Sequence, residues 1–179
     1  MNPSARSIQR TYLLLMLLQT LAASLIWGIN TLFLLDAGLT NTEAFVANAF
    51  FTAGMVVFEV PTGIVADTYG RKRSVVIGMF VLGGSYLLVG ASTAAVGVIA
   101  AYAVWGLGWT FLSGAFDAWL ADEVGQERLA GVYHRGAQID RVAGLLGIGV
   151  SVGLAQVDLR LPILIGGAVC VSAGVADDE

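Results

Sequence analysis

Cysteine and histidine are almost absent from this sequence, which has one residue of each among its 179 positions. The lone Cys170 cannot form an intrachain disulfide, and its place inside an apolar run predicts a packing role. The lone His134 lies in a charged segment and no nucleophile motif surrounds Ser113, which argues against a serine hydrolase. Metal-ligand clusters, phosphate-binding glycine loops and basic nucleic-acid patches are also lacking. We therefore predict no catalytic residue, no metal, no cofactor and no nucleic-acid partner.

Charge is scarce as well, since only 12% of the residues are charged and 57% are hydrophobic. The mean hydropathy of +0.80 is higher than a water-soluble domain carries. Lipid offers no hydrogen-bond partner to an open backbone, and period-two alternation is lacking. The composition therefore predicts an all-α membrane protein.

Long apolar runs divide the chain into candidate transmembrane helices. A bilayer core about 30 Å thick needs about 20 apolar residues per helix. By that rule six spans are predicted, over Tyr12–Leu35, Thr42–Ala66, Ser74–Ala91, Ala95–Ala121, Ile139–Val157 and Leu161–Ala176. The last is short and is followed by three acids, so we expect a truncated final span and treat residues 1–179 as one bundle.

The positions of the cations predict the orientation. Of the nine lysines and arginines, all but Arg141, at the start of span five, and Arg160 precede span one or lie between spans two and three or four and five. These segments share one side if every span crosses, and the positive-inside rule makes that side cytoplasmic. We predict a multi-pass protein of the cell membrane with both termini in the cytoplasm.

The segment Gly63–Arg73, which reads GIVADTYGRKR, separates spans two and three. An apolar run ends there, an acid and a glycine follow, and three cations precede the next apolar run. This order predicts a tight cytoplasmic hairpin between two membrane helices.

The same segment resembles the signature loop of the major facilitator superfamily (MFS), Gly-x-x-x-Asp-(Arg/Lys)-x-Gly-(Arg/Lys)-(Arg/Lys). Five residues match, namely Gly63, Asp67, Gly70, Arg71 and Lys72, whereas Thr68 stands where the family usually has a cation. The resemblance implies an N-terminal six-helix half, built from 3+3 inverted repeats, of a transporter whose C-terminal half is missing from this chain.

In this family the loop braces two bundles and releases them during the transport cycle. The resemblance implies that gating role for the matched residues, together with Arg73 and an acid of span four, Asp117, paired with Arg71 or Arg73. The alternative is that the cations only hold the loop in the cytoplasm. Retention requires neither Gly70 nor Asp67, which favours gating.

An internal repetition is consistent with the predicted repeats. Span one contains Trp27-Gly28 and then Phe33-Leu34, and span four contains Trp105-Gly106 and then Phe111-Leu112 at the same spacing. Chance matches between apolar segments are common, so both readings stay open.

Two carboxylates within spans are candidates for function, because an ionisable group in a membrane is costly. Glu59 is either a proton or cation site or a partner in local helix pairing. For Asp117 we favour the brace described above over proton carriage.

Polar and aromatic side chains within spans one and four are candidate substrate contacts. Gln19 and Asn30 either face a cavity or bond between helices. Tyr102, Trp105 and Trp109 share a helical face that either lines a cavity for apolar or cationic substrates or faces core or lipid. Many proton-coupled members have an arginine in the position of Tyr102, four residues before the Gly106–Gly108 pair.

These features predict secondary transport of a small-molecule substrate by alternating access in the bilayer, with proton-coupled efflux as one form. The alternative is a non-transporting membrane scaffold or sensor with the same fold, or an inactive fragment.

Overall fold

The computed structural model of the chain describes residues 3–178, with side chains for residues 6–125 and 129–175. Regular secondary structure within residues 3–178 is entirely helical. The helices are α1 (Pro3–Trp27), α2 (Asn30–Asp36), α3 (Asn41–Tyr69), α4 (Arg71–Ala91), α5 (Ala95–Leu112), α6 (Ala115–Val124), α7 (Gln126–Ala155) and α8 (Arg160–Asp178). The prediction of an all-α protein is confirmed.

Five helical segments of the described chain are long and apolar enough to cross a membrane. They are Arg6–Trp27, Asn41–Tyr69, Arg71–Ala91, Ala95–Val124 and Leu129–Ala155. The sixth predicted span corresponds to Arg160–Val175, which is apolar but shorter than a typical crossing helix.

The predicted first span is interrupted, because α1 ends at Trp27 and α2 begins at Asn30. Gly28 lies against α7, where a Cβ atom would come within 3.2 Å of the Ser151 side chain. The N–H of Ile29 bonds the carbonyl of Ile26, three residues back, which tightens and ends the helix. The expected single helix over 12–35 is therefore two helices.

The predicted fourth span is interrupted by a different device. Gly114 has a φ of 75°, a left-handed conformation that glycine adopts without steric cost. It separates α5 from α6, and the helix resumes at Ala115.

The charged segment after span four belongs to a longer helix than expected. Gly125, with a φ of 80°, ends α6 and caps α7, which then runs without a break from Gln126 to Ala155. The predicted fifth span over 139–157 is thus the second part of a 30-residue helix.

Glycines allow the helices to pack closely. α3 packs on α5, α4 on both α5 and α8, and α1 on α7 and α8. A Cβ at Gly54 of α3 would lie 2.5 Å from the carbonyl oxygen of Ala103 on α5. Gly83 of α4 and Gly167 of α8 face each other, and a Cβ on either would come within 2.9 Å of the other's carbonyl oxygen. Small residues of this kind let membrane helices approach where lipid supplies no hydrophobic driving force.

Candidate functional site

The turn between α3 and α4 is built around Gly70. This residue has a φ of 99°, and it ends one helix and begins the next. Its N–H donates to the carbonyl of Ala66 at 3.1 Å, and its own carbonyl accepts from the N–H of Ser74 at 3.2 Å. A Cβ here would meet nothing within 4 Å, so backbone conformation and not crowding explains the glycine.

Arg71, the first residue of α4, connects this turn to α6. Its Nη1 donates to the carbonyl of Ala118 at 3.1 Å and to Oδ2 of Asp122 at 2.9 Å. The guanidinium thus satisfies a backbone acceptor and a carboxylate on one face of α6, since those residues are four apart.

The expected pair between Asp117 and Arg71 or Arg73 is not present, and this prediction is corrected. Asp117 points away from the Arg71 face of α6, because it precedes Asp122 by five positions. Its Oδ1 instead accepts a hydrogen bond from the hydroxyl of Tyr12 at 2.9 Å. The hydroxyl of Tyr133 donates to the Asp117 carbonyl at 3.2 Å, so this residue joins α1, α6 and α7.

The other charged residues of the signature segment lie at the surface of this chain. Asp67, Lys72 and Arg73 are exposed, and among the described side chains the carboxylate of Asp67 accepts no hydrogen bond. A Cβ at Gly63 would meet nothing within 4 Å, so no described helix uses this glycine for a close approach.

A polar cleft of about 370 Å³ brings much of the predicted site together. We define the polar cleft by its lining residues Glu59, Gly63, Asp67, Arg71, Thr110 and Ser113, contributed by α3, α4, α5 and the α5–α6 junction. Two of the three charged residues are acids, and the third, Arg71, is bonded to Asp122. The cleft therefore has an excess of negative charge on its α3 side.

Glu59 is exposed on α3 and is not buried within this bundle. Among the described side chains its carboxylate accepts no hydrogen bond, so the local helix pairing considered from the sequence is absent. It projects from a membrane-length helix ten residues before that helix ends, where an unpaired carboxylate is tolerated only beside water, a cation or another protein surface.

Asn30 and Tyr102 bond to each other inside the bundle. The Tyr102 hydroxyl donates to Oδ1 of Asn30, whose Nδ2 donates to Oδ1 of Asn48 at 3.4 Å. Both residues are buried, with exposed fractions of 7% and 1%. For Asn30 the structure therefore matches the interhelical alternative, with α2, α3 and α5 as the connected helices.

Trp105 occupies the centre of an aromatic cluster in the core. Its exposed fraction is 1%, and its ring lies 5.0 to 5.5 Å from those of Trp27, Phe51, Tyr86 and Tyr102. Tyr102 and Trp105 thus pack in the core and do not line the polar cleft.

Gln19 and Trp109 do come together, in a second and smaller cavity. We call this cavity of about 130 Å³ the aromatic notch and define it by Gln19, Trp109, Leu112, Ser113 and Phe116. It lies between α1 and the α5–α6 junction, and Ser113 lines both the notch and the polar cleft.

Several contacts were not anticipated from the sequence. They are the hydrogen bonds of Asp122 with Arg71 and of Tyr12 with Asp117, and the bond from the Thr20 hydroxyl of α1 to Oδ1 of Asp140 on α7 at 2.9 Å. Asp140 lies inside the predicted fifth span, so its position in an apolar run was a usable signal. Within the described residues no group of three or more potential metal ligands is close enough to hold an ion.

Comparison with known proteins points to transporters. No family model matches the chain. It is 24% identical over 148 residues to the uncharacterized MFS-type transporter YxaM of Bacillus subtilis, a match that covers 83% of this chain and 37% of that protein. It is 32% identical over 81 residues to an uncharacterized transporter of Buchnera aphidicola, covering 45% of this chain and 20% of that protein. The chain thus spans well under half the length of these relatives.

These similarities, together with the five membrane-length helices, support a multi-pass membrane protein with a role in transport.

Proposed function

We propose that this chain is the N-terminal six-helix half of a major facilitator transporter that moves small molecules across the cell membrane by alternating access. The observation that carries the proposal is the Gly63–Arg73 segment. Its turn glycine has the left-handed φ that the position requires, and its first arginine reaches across to α6. Gly63 and Asp67 remain open on the bundle surface, where a second bundle could contact them.

The pattern of helix contacts supports a 3+3 inverted repeat. The first unit would be α1–α2, α3 and α4, and the second α5–α6, α7 and α8. Exchanging the units turns the α1–α7 contact into the α5–α3 contact, and the α1–α8 contact into the α5–α4 contact, while α4–α8 maps onto itself. The repeated Trp-Gly pairs agree with this exchange, since Gly28 lies against α7 and Gly106 against α3.

The surface of the bundle supports a missing second half. α3 and α7 are the least buried of the five membrane-length helices in the described chain. On the exchange described above they are equivalent to each other, so the open face is itself symmetric. A reading frame that continues for about 200 residues with six further spans would agree with this proposal, as the family repeats its halves.

Alternating access can be tested without knowing the substrate, because Ser113 is exposed and lines both cavities. In the full-length protein with Cys170 replaced by alanine, Ser113→Cys would be treated with an impermeant thiol reagent in right-side-out and inside-out vesicles. We expect reaction from both faces, with Thr40→Cys as a control that reacts from one face only.

The gating role of Asp67 can be tested in the same vesicles. Asp67→Asn is expected to change the ratio of the two Ser113→Cys reaction rates several-fold, without loss of thermal stability, since its carboxylate has no hydrogen bond among the described side chains. Asp36→Asn, an exposed acid at the end of α2, is the matched control. An unchanged ratio would leave the loop with a topogenic role alone, and reaction of Ser113→Cys from one face only would favour a non-transporting scaffold.

A further inference from the structure

We infer that the face formed by α1, α3 and α5 binds an organic cation that carries one planar apolar ring, with the ring in the aromatic notch and the charge toward Glu59. The assignment of this molecule as a transported substrate rests on the proposed function. The binding site itself rests on the two adjoining cavities.

The aromatic notch has the size and lining for a single ring. A cavity of about 150 Å³ with apolar walls is known to hold benzene, and the notch measures about 130 Å³. Trp109 and Phe116 supply aromatic walls, and Leu112 adds an aliphatic one. The half-buried Gln19 is the polar side chain contributed by α1.

The charge around the notch selects a cation. None of the described residues that line the notch is a lysine or an arginine. In the adjoining polar cleft Arg71 is engaged by Asp122 and by the carbonyl of Ala118, whereas Glu59 and Asp67 have no hydrogen bond among the described side chains. An anion would meet unneutralised carboxylates, whereas a cation would neutralise them and could contact the face of Trp109.

The two cavities share one lining residue, Ser113. This residue lies at the α5–α6 junction, where the left-handed Gly114 interrupts the helix and exposes both residues. A ligand in the notch would therefore lie beside Ser113, which also lines the polar cleft that contains the carboxylate of Glu59 on α3. The ring of the cation is therefore placed in the aromatic notch and its charge on the Glu59 side of Ser113.

The inference can be tested by equilibrium binding of radiolabelled benzyltrimethylammonium to the full-length protein in nanodiscs. Two competing ligands test the charge and the ring of the probe separately. Tetramethylammonium has the charge without the ring, and benzyl alcohol has the ring without the charge. We expect each to bind at least roughly tenfold more weakly than the probe, because each loses one of the two interactions.

Four variants locate the probe. Glu59→Gln is expected to weaken binding by tenfold or more, and Trp109→Leu by roughly tenfold, whereas Trp109→Phe retains most of the affinity because it keeps an aromatic face. Glu123→Gln, an exposed glutamate at the end of α6, is the matched control and should bind like the wild type. Thermal stability of each variant separates lost binding from misfolding.

The outcomes separate this inference from the proposed function. Wild-type affinity in Glu59→Gln, or benzyl alcohol binding as tightly as the probe, would overturn the cation site. If Ser113→Cys reacts from both faces but the protein does not bind the probe, the transport proposal stands and the cation site is refuted. If the protein binds the probe but Ser113→Cys reacts from one face only, the cation site stands and the transport proposal is refuted.

Discussion

Asn30 and Tyr102 form a buried polar pair whose partners lie on different helices. The Tyr102 hydroxyl donates to Asn30, and Asn30 donates in turn to Asn48, whose Nδ2 donates to the carbonyl of Ala44 at 2.8 Å. Each side chain in this row of hydrogen bonds, Tyr102, Asn30 and Asn48, therefore has a hydrogen-bond partner, as a polar group buried away from water requires. The row fixes α2 against α3 and α5 directly after the break in the first span.

We predict that the pair is coupled. Tyr102→Phe and Asn30→Leu should each lower the free energy of unfolding by about 1–3 kcal/mol, because each leaves the other residue with an unsatisfied polar atom. The double variant should cost less than the sum of the two by about 1 kcal/mol. Denaturant unfolding in detergent would measure the three values, with Thr31→Val, an exposed neighbour, as control. Additive losses would show that the hydrogen bond contributes nothing specific.

Glu59 and Asp117 illustrate how two acids in apolar helices acquire different environments. Asp117 accepts a hydrogen bond from Tyr12, whereas Glu59 faces the polar cleft. Both are exposed in this bundle, so a position within an apolar run did not imply burial. For each acid, the position on the helix circumference determined its surroundings.

The helices of the first and fourth spans break for different physical reasons. At Gly114 the left-handed backbone itself requires glycine, whereas after Trp27 the helix ends in a tightened turn in which the N–H of Ile29 donates to the carbonyl of Ile26, and Ser151 of α7 packs against Gly28. The break at Gly114 lies inside the membrane-length segment Ala95–Val124, and such interruptions occur where the backbone is covered by protein or faces water. The break at Gly114 lies at the joint between the polar cleft and the aromatic notch.

The neighbouring glycines Gly83 and Gly84 of α4 allow the packing of α4 against α8 to be tested, because only Gly83 contacts α8. A Cβ at Gly83 would lie 2.8 Å from the carbonyl oxygen of Gly167 and 2.9 Å from the backbone N of Val171, whereas a Cβ at Gly84 would meet nothing within 4 Å. We predict that Gly83→Ala destabilises the protein by about 1–3 kcal/mol, since backbone atoms must move apart. Gly84→Ala should be neutral or stabilising, because alanine favours the helix.

Thermal unfolding in detergent would compare these two variants under identical conditions. Equal effects would mean that α4 and α8 do not approach as closely as described.

The whole bundle gathers its predicted cytoplasmic segments at one end. Hydrogen bonds join Tyr12 near the start of α1 to Asp117 of α6, and Arg71 at the start of α4 to Asp122 near the end of α6. At the opposite end Arg160 donates to the carbonyl of Gly90 at 3.0 Å. Which end faces the cytoplasm remains a prediction from the positive-inside rule.

We predict that cysteine at Thr40 reacts with an impermeant thiol reagent from outside intact cells, and that cysteines at Tyr69 and Ala130 do not. All three positions are exposed, so accessibility is governed by side and not by burial. The experiment uses a background without Cys170, with permeabilised cells as the positive control for the two inner positions. Outside labelling at Tyr69 or Ala130 would reverse the proposed orientation.

The sequence alone determined the features that depend on local order along the chain. Composition and run length predicted membrane helices, the clustering of cations predicted which segments share a side, and Gly70 between an acid and three cations predicted the turn. Each of these is a property of neighbouring residues, and neighbours are what a sequence displays directly.

Only the tertiary structure decided the partners and the breaks. In α5 apolar residues surround the helix on all sides, so periodicity does not reveal which face meets another helix. That choice buried Tyr102 and Trp105 and left Trp109 beside Gln19 in the aromatic notch. The packing of α4 against α6 likewise paired Arg71 with Asp122 and not with Asp117. The contact of Gly28 with Ser151 likewise joins residues more than a hundred positions apart in the chain, which no local pattern shows.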